Sequence, residues 1–204
     1  MTSFEAPLQA CELLSRITCP WFVAGGWAVD LFLGAETREH ADLEVAVFRK
    51  DQLIVRDYLK GWAFVKAIPS SRGQTEPWSE DEWLELPVHE IHAQRSGAAL
   101  EHIEFLLNEK HGSEWRFRKN LEIKRPIAFI GQRSKQGIPF LSPEVVLLYK
   151  ANQPRGIDKA DFEHVVPLLP KETASWLEQA IGACYPQHPW IARLQESHQA
   201  RTPF

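Results

Sequence analysis

Gly25-Gly26-Trp27, followed by Asp42-Leu43-Glu44-Val45, restricts this chain more than any other stretch. The glycines stand between an apolar run, Trp21 to Ala24, and a second apolar run closed by Gly34. That order predicts a short strand, a tight turn and a helix over Gly26 to Leu33. The backbone of such a turn comes close to a ligand, and the N–H groups opening the helix favour an anion such as phosphate. Residues two apart in a strand point the same way, so Asp42 and Glu44 reach one cation together. Hard oxygen donors suit Mg²⁺, which is commonly held by one or two carboxylates plus substrate phosphates.

Composition sets the outer bounds. The chain has 204 residues, of which 44% are hydrophobic and 25% charged, as in ordinary globular proteins. A net charge of −4 gives no electrostatic support for broad nucleic-acid binding and fits a cationic small-molecule acceptor better. Cys11, Cys19 and Cys184 show no metal-ligand spacing and read as reduced thiols. No apolar run is long enough to span a membrane and Met1-Thr2-Ser3-Phe4-Glu5 lacks a signal pattern, so a cytoplasmic location is expected.

The periodicity predicts a helix over 4–17, strands over 21–24 and 42–48, a helix over 51–59 and a strand over 62–68. Residues 69–87 read as a long polar loop with two tryptophans. Strands are expected near 88–94, 100–107, 114–118 and 127–130. Ser142-Pro143-Glu144 is a helix start. Helices are then expected over 143–152, 158–168, 171–184 and 189–198, with Asp158 as an N-cap. The expected organisation is a mixed-sheet domain over 1–138 and a helical domain over 139–204, with the site between them.

Several motifs together carry a family resemblance. Gly25-Gly26-Trp27-Ala28-Val29-Asp30, Thr37-Arg38-Glu39-His40 and Asp42-Leu43-Glu44-Val45 resemble the small antibiotic nucleotidyltransferases. Among these, the 2″-aminoglycoside adenylyltransferases and their lincosamide-modifying relatives are most similar. The spacer between the glycines and Asp42 exceeds the commonest length of the polymerase-β-like superfamily, and suits the branch with Arg-x-His before the first carboxylate. The resemblance continues through Gly137 to Glu144, Leu148-Tyr149-Lys150, Asp158 to Phe162 and His188-Pro189-Trp190.

This resemblance implies an α+β fold, a nucleotidyltransferase sheet with flanking helices followed by a helical domain. It also implies attack of an acceptor hydroxyl on the α-phosphorus of ATP, with pyrophosphate leaving. Two Mg²⁺ ions about 3.5–4 Å apart would serve that reaction. Asp42 and Glu44 would hold one, and Glu104 would complete the other. Strand parity supports Glu104, because Ile103 and Phe105 read as core and leave His102 and Glu104 on the other face.

Relatives commonly carry an aspartate, proposed as the base, where this chain has His102. A histidine titrates near neutrality and serves that role too; altered substrate choice or weakened catalysis are the other readings, and Glu101 or Glu109 hold the role if the register moves by one. Gly25, Gly26, Arg38, His40 and Lys150 are the expected nucleotide contacts. Glu76, Trp78, Glu80, Asp81, Glu82, Trp83 and Glu85 form the expected acceptor loop. An aminoglycoside is the leading acceptor. A lincosamide, another metabolite, a protein or RNA hydroxyl of the toxin–antitoxin kind, and a nucleotide-binding module without turnover remain open.

Overall fold

The computed structural model describes residues 4–69, 71 and 73–199. Helix α1 (Glu5–Leu13) precedes strand β1 (Trp21–Val23), helix α2 (Gly25–Leu33) and strand β2 (Glu44–Phe48). Helix α3 (Gln52–Tyr58) leads to strands β3 (Ala63–Ala67), β4 (Thr75–Pro77), β5 (Glu90–Gln94) and β6 (His102–His111). Strands β7 (Glu114–Phe117), β8 (Asn120–Pro126), β9 (Gly131–Arg133) and β10 (Pro139–Leu141) follow. Helices α4 (Pro143–Lys150), α5 (Gly156–Val165), α6 (Lys171–Cys184) and α7 (Pro189–Gln199) close the chain. None of these helices is long and apolar enough to cross a membrane.

The sheet runs β4-β3-β5-β6-β2-β1-β10-β9, and the β7–β8 hairpin continues from the far end of β6. Two neighbour pairs, β2–β6 and β1–β10, are parallel and the rest are antiparallel, which makes the sheet mixed and the fold α+β. Val45, Ala46, Val47 and Phe48 are all buried because β2 lies mid-sheet with both faces covered. Strand β6 instead alternates. Ile103, Phe105 and Leu107 enter the core, while His102, Glu104 and Leu106 are half-buried on the opposite face.

Three local expectations change. Residues 127–129 form a 3-10 turn rather than a strand. Pro126 ends β8 there, and Gly131 opens β9 beside the Phe22 ring, only 2.1 Å from where a Cβ would stand. Residues 139–141, which open the expected helical domain, form a strand paired with β1 and β9, and the first helix after them starts at Pro143 as expected. Asp158 is the third residue of α5 rather than its N-cap; Arg155 is the N-cap, and Asp158 closes a capping box onto its backbone N–H.

Trp115 joins the hairpin to the helices. Its ring is fully buried against Phe117, Tyr149 and Trp176, and its Nε1 donates to Asn108 Oδ1. Tyr149 donates to the same oxygen, so β6, β7 and α4 meet at one buried amide.

Lys150 Nζ contacts Asp158 Oδ1 at 2.7 Å and Asp161 Oδ2 at 3.0 Å, joining α4 to α5. Burial by itself raises the Asp158 pKa, but hydrogen bonds from Arg155 and Lys150 outweigh it and hold the carboxyl well below the usual range. A depressed carboxyl stabilises the fold above its unfolded pKa of about 3.9, and the contribution disappears as pH falls through the folded value. Asp158→Asn is expected to cost about 1.5–3 kcal/mol at pH 7, the range for hydrogen bonds to charged groups. Urea unfolding from pH 7 to pH 3 checks this. The gap from wild type should narrow below about pH 4; a gap constant across the range contradicts the assignment.

Candidate active site

The site begins at the end of β1. Ala24 N–H donates to Glu44 O, which pins the turn to β2. Gly25 then opens α2 with φ of 58°, a left-handed conformation that other residues adopt at a cost. A Cβ on Gly25 would fall 1.4 Å from Glu44 Oε2, so only glycine lets that carboxylate lie against the turn. The N–H groups of Gly25, Gly26 and Trp27 belong to the first turn of α2, where helices have no internal acceptors.

The turn is braced from beneath. A Cβ on Gly26 would fall 2.2 Å from Arg38 Nη2 and 2.6 Å from His40 Cε1. The His40 ring is buried, bonds through Nε2 to Asp30 Oδ2 at 2.7 Å and packs on Trp27 at 4.2 Å. Asp30 also accepts from Thr37 N and Oγ1. Arg38 Nη2 lies 3.7 Å from Asp161 Oδ2. Neither Arg38 nor His40 lines the main cavity; both sit under the turn that does.

That cavity has a volume of about 510 Å³. Gly25, Glu44 and Glu90 line it together with Lys150, Arg155 and Arg118, whereas Asp42, His102 and Glu104 do not. Burial pushes the Glu44 pKa up, Glu90 and Asp42 push the same way, and Lys150 and Arg155 oppose. Arg118 is held beside the Tyr149 ring, 5.4 Å from its centroid.

Asp42, Glu44 and Glu104 converge through strand register. Glu44 is paired with Glu104 across the parallel β2–β6 ladder, and His92 of β5 faces Glu104 from the other side. Asp42 lies just ahead of β2, half exposed, with Oδ1 3.9 Å from His102 Nδ1. Burial and the carboxylates of Glu90, Asp42 and Glu44 raise the Glu104 pKa to about 7, against the pull of His92. Burial and His92 lower the His102 pKa, against Asp42, which favours a neutral ring at pH 7.

Carboxylates suit a hard divalent cation; among the described residues, the three that bring donor atoms within 4.8 Å of one another are His92, His102 and Glu104. The structure thus puts Gly25, Glu44 and Lys150 on one cavity, and places Glu104 beside Glu44 across the ladder and His102 beside Asp42, outside that lining. Glu90, His92, Arg118 and Arg155 were not foreseen. Strand parity across His89-Glu90-Ile91-His92 carries the signal for the first two. Arg118 and Arg155 lie beside elements rather than within a pattern.

In the polar loop expected to hold the acceptor, Glu76, Trp78 and Glu82 make contacts within the fold, while Trp83 is exposed. Trp78 is buried against Phe64 and under the Arg56 guanidinium, 3.5 Å from its ring. Lys66 pairs with Glu76 and Glu82. None of these residues lines the cavity.

Comparison with known proteins follows this geometry. The sequence profile of the aminoglycoside-2″-adenylyltransferase family matches residues 8–165. Comparison with curated proteins returned no match. Among solved structures, the lincosamide antibiotic adenylyltransferase LnuA, crystallised with lincomycin bound, is similar at 17% identity and a TM-score of 0.54, over 80% of this chain and 95% of that one. An antigenic nucleotidyltransferase-like protein from Paracoccidioides brasiliensis is similar at 16% identity and a TM-score of 0.50, over 97% of this chain and 94% of that one. ANT(2″)-Ia in complex with adenylyl-2″-tobramycin gives 13% identity and a TM-score of 0.47, over 95% of each chain. At these identities, the first two likenesses bear on the fold alone.

The family profile instead spans the glycine turn, the carboxylate strands and the helices that carry Lys150 and Asp161, and by that match the chain belongs to the aminoglycoside-2″-adenylyltransferase family and is a nucleotidyltransferase.

Proposed function

We propose that this protein transfers AMP from ATP to a hydroxyl of an aminoglycoside-type antibiotic, with Mg²⁺ held by Asp42, Glu44 and Glu104. The observation that carries the reading is the contact of Glu44 with Gly25. It puts a metal-type carboxylate against an anion-type helix opening, on a cavity that Lys150 and Arg155 also line. The bound cation would supply charge stabilisation at the phosphoryl oxygens.

The chain's own residues do the rest. First-turn N–H groups of α2 bind phosphate, and Gly26 lets Arg38 and His40 seat that turn from below. Lys150 and Arg155 face the triphosphate across the cavity and offset its charge. His102, uncharged at neutral pH and beside Asp42, accepts the proton of the attacking hydroxyl. The acidic strand face draws a polyamine acceptor toward that proton acceptor. Positioning and fixed charge thus supply most of the rate enhancement, and no covalent intermediate is required.

Asp42→Asn tests the cation site. A non-hydrolysable ATP analogue with Mg²⁺, at about 100 times its Kd, should stabilise the wild type by roughly 2.7 kcal/mol. The variant should lose that Mg²⁺-dependent gain, together with at least about a hundredfold of any acceptor-dependent pyrophosphate release, roughly 2.7 kcal/mol of barrier. Nucleotide binding with no pyrophosphate release for any aminoglycoside or lincosamide would instead favour a binding module without turnover.

Gly25→Ala tests the turn. The added methyl displaces Glu44 and strains φ, so analogue affinity should fall at least about tenfold, roughly 1.4 kcal/mol. A folded Gly25→Ala protein with wild-type affinity would show that the triphosphate lies elsewhere.

A further inference from the structure

The face that carries the carboxylates also carries two imidazoles. We propose that His92, His102 and Glu104 form a cation position with two nitrogen donors and one oxygen, which selects a Zn²⁺-class ion (Zn²⁺, Co²⁺ or Ni²⁺) over Mg²⁺. Imidazole suits these borderline ions, whereas Mg²⁺ prefers an all-oxygen shell. One donor atom from each of the three residues lies within 4.8 Å of the others. Bonds of about 2.0–2.2 Å in a tetrahedral shell set neighbouring donors roughly 3.3–3.6 Å apart. His92 Nδ1 and Glu104 Oε1 are already 3.7 Å apart, so closure takes small side-chain rotations of half-buried groups.

A second observation points to a ligand. His92 Nε2 bonds to Glu90 Oε1 at 2.7 Å. With the ring proton on Nε2, Nδ1 is left as an acceptor, 3.7 Å from Glu104 Oε1. A carboxylate behind a histidine, setting its tautomer and raising its basicity, is the usual support for a metal-bound imidazole. The His102 ring lies 5.4 Å from that of His92, and its Nδ1 is 3.9 Å from Asp42 Oδ1. Glu104 is common to this set and to the oxygen set, so the two positions adjoin.

The position rests on this geometry rather than on the nucleotide reading, and binding alone reports it. One consequence does rest on that reading. An ion here occupies the His102 lone pair, so the loaded position and proton acceptance by His102 exclude each other.

The experiment is Co²⁺ titration of untagged, chelator-stripped full-length protein without nucleotide, followed by ligand-field absorption in the visible. One equivalent should bind with a low-symmetry, nitrogen-bearing spectrum, be displaced by Zn²⁺ and resist a large excess of Mg²⁺. His92→Gln and His102→Gln should each weaken Co²⁺ binding at least about tenfold, and Glu90→Gln by about 10–100-fold, the range for a supporting partner. Circular dichroism of the metal-free variants checks that they fold. Should either fail to fold, NMR of the wild type decides: sub-stoichiometric Co²⁺ should perturb the ring signals of His92 and His102 first among the eight histidines. A band that survives in both histidine variants, first perturbation of other histidines, or displacement by Mg²⁺ at comparable concentration each overturns the proposal. Because no nucleotide is present, failure here leaves the Asp42→Asn outcome with ATP and Mg²⁺ untouched.

Discussion

The carboxylate of Glu44 lies against Gly25 so closely that a side chain at position 25 would occupy its space. That contact sets the order of everything nearby. It holds a positive helix end and a carboxylate in one place, an arrangement that is favourable in itself. Ala24 N–H to Glu44 O makes the same junction through the backbone, so β1, α2 and β2 move as a unit. Glu104 joins through the β2–β6 register rather than through sequence proximity, and a shift of one residue would turn it into the core. Ile103 and Phe105, both fully buried, prevent that shift.

Charge around the cavity is divided rather than neutralised. Neighbouring carboxylates disfavour the ionisation of Glu44 and Glu104, while Lys150 and Arg155 favour that of Glu44. Lys150 does not close onto Glu44. Asp158 and Asp161 hold its ammonium on the helical side, at 2.7 and 3.0 Å. The paired aspartates thus keep a cation available and its position fixed.

Much of this was legible in the sequence, for identifiable reasons. Gly25-Gly26 before an apolar helix, and Asp42-x-Glu44 entering a strand, are local patterns whose spacing fixes their geometry. Parity placed Ile103 and Phe105 in the core and His102 with Glu104 opposite, because strand period is independent of tertiary context. The same rule applied to Glu90 and His92 shows which face they share, but not that β5 would lie beside β6; that is set by non-local pairing. Arg38 and His40 read as phosphate contacts because they precede the Asp42-x-Glu44 strand, yet His40 is held by Asp30 and Trp27 of α2 and Arg38 lies against Asp161 of α5, neighbours that sequence reading does not place there. The loop over 69–87 was read from its polar composition. Lys66 and Arg56 on other elements, which convert its acids and carbonyls into packing contacts, lie outside any window of pattern reading. The 3-10 turn at Ile127–Phe129 was taken for strand because apolar runs of that length do not discriminate without the flanking Pro126 and Gly131.

Asp161 shows why the helical segment belongs to the site rather than beside it. It is almost fully buried, and its Oδ2 contacts Lys150 at 3.0 Å and Arg38 at 3.7 Å. Lys150 is in the cavity wall, and Arg38 Nη2 backs onto Gly26 beneath the phosphate turn. One carboxylate therefore connects the two surfaces that a triphosphate would touch from opposite sides. A buried charge with two cationic neighbours is costly to strand, since removing either partner leaves it uncompensated. Helices α4 and α5 also pack directly on α2, so the spacing between the glycine turn and Lys150 rests on that packing, to which Asp161 adds a polar link between Lys150 and Arg38.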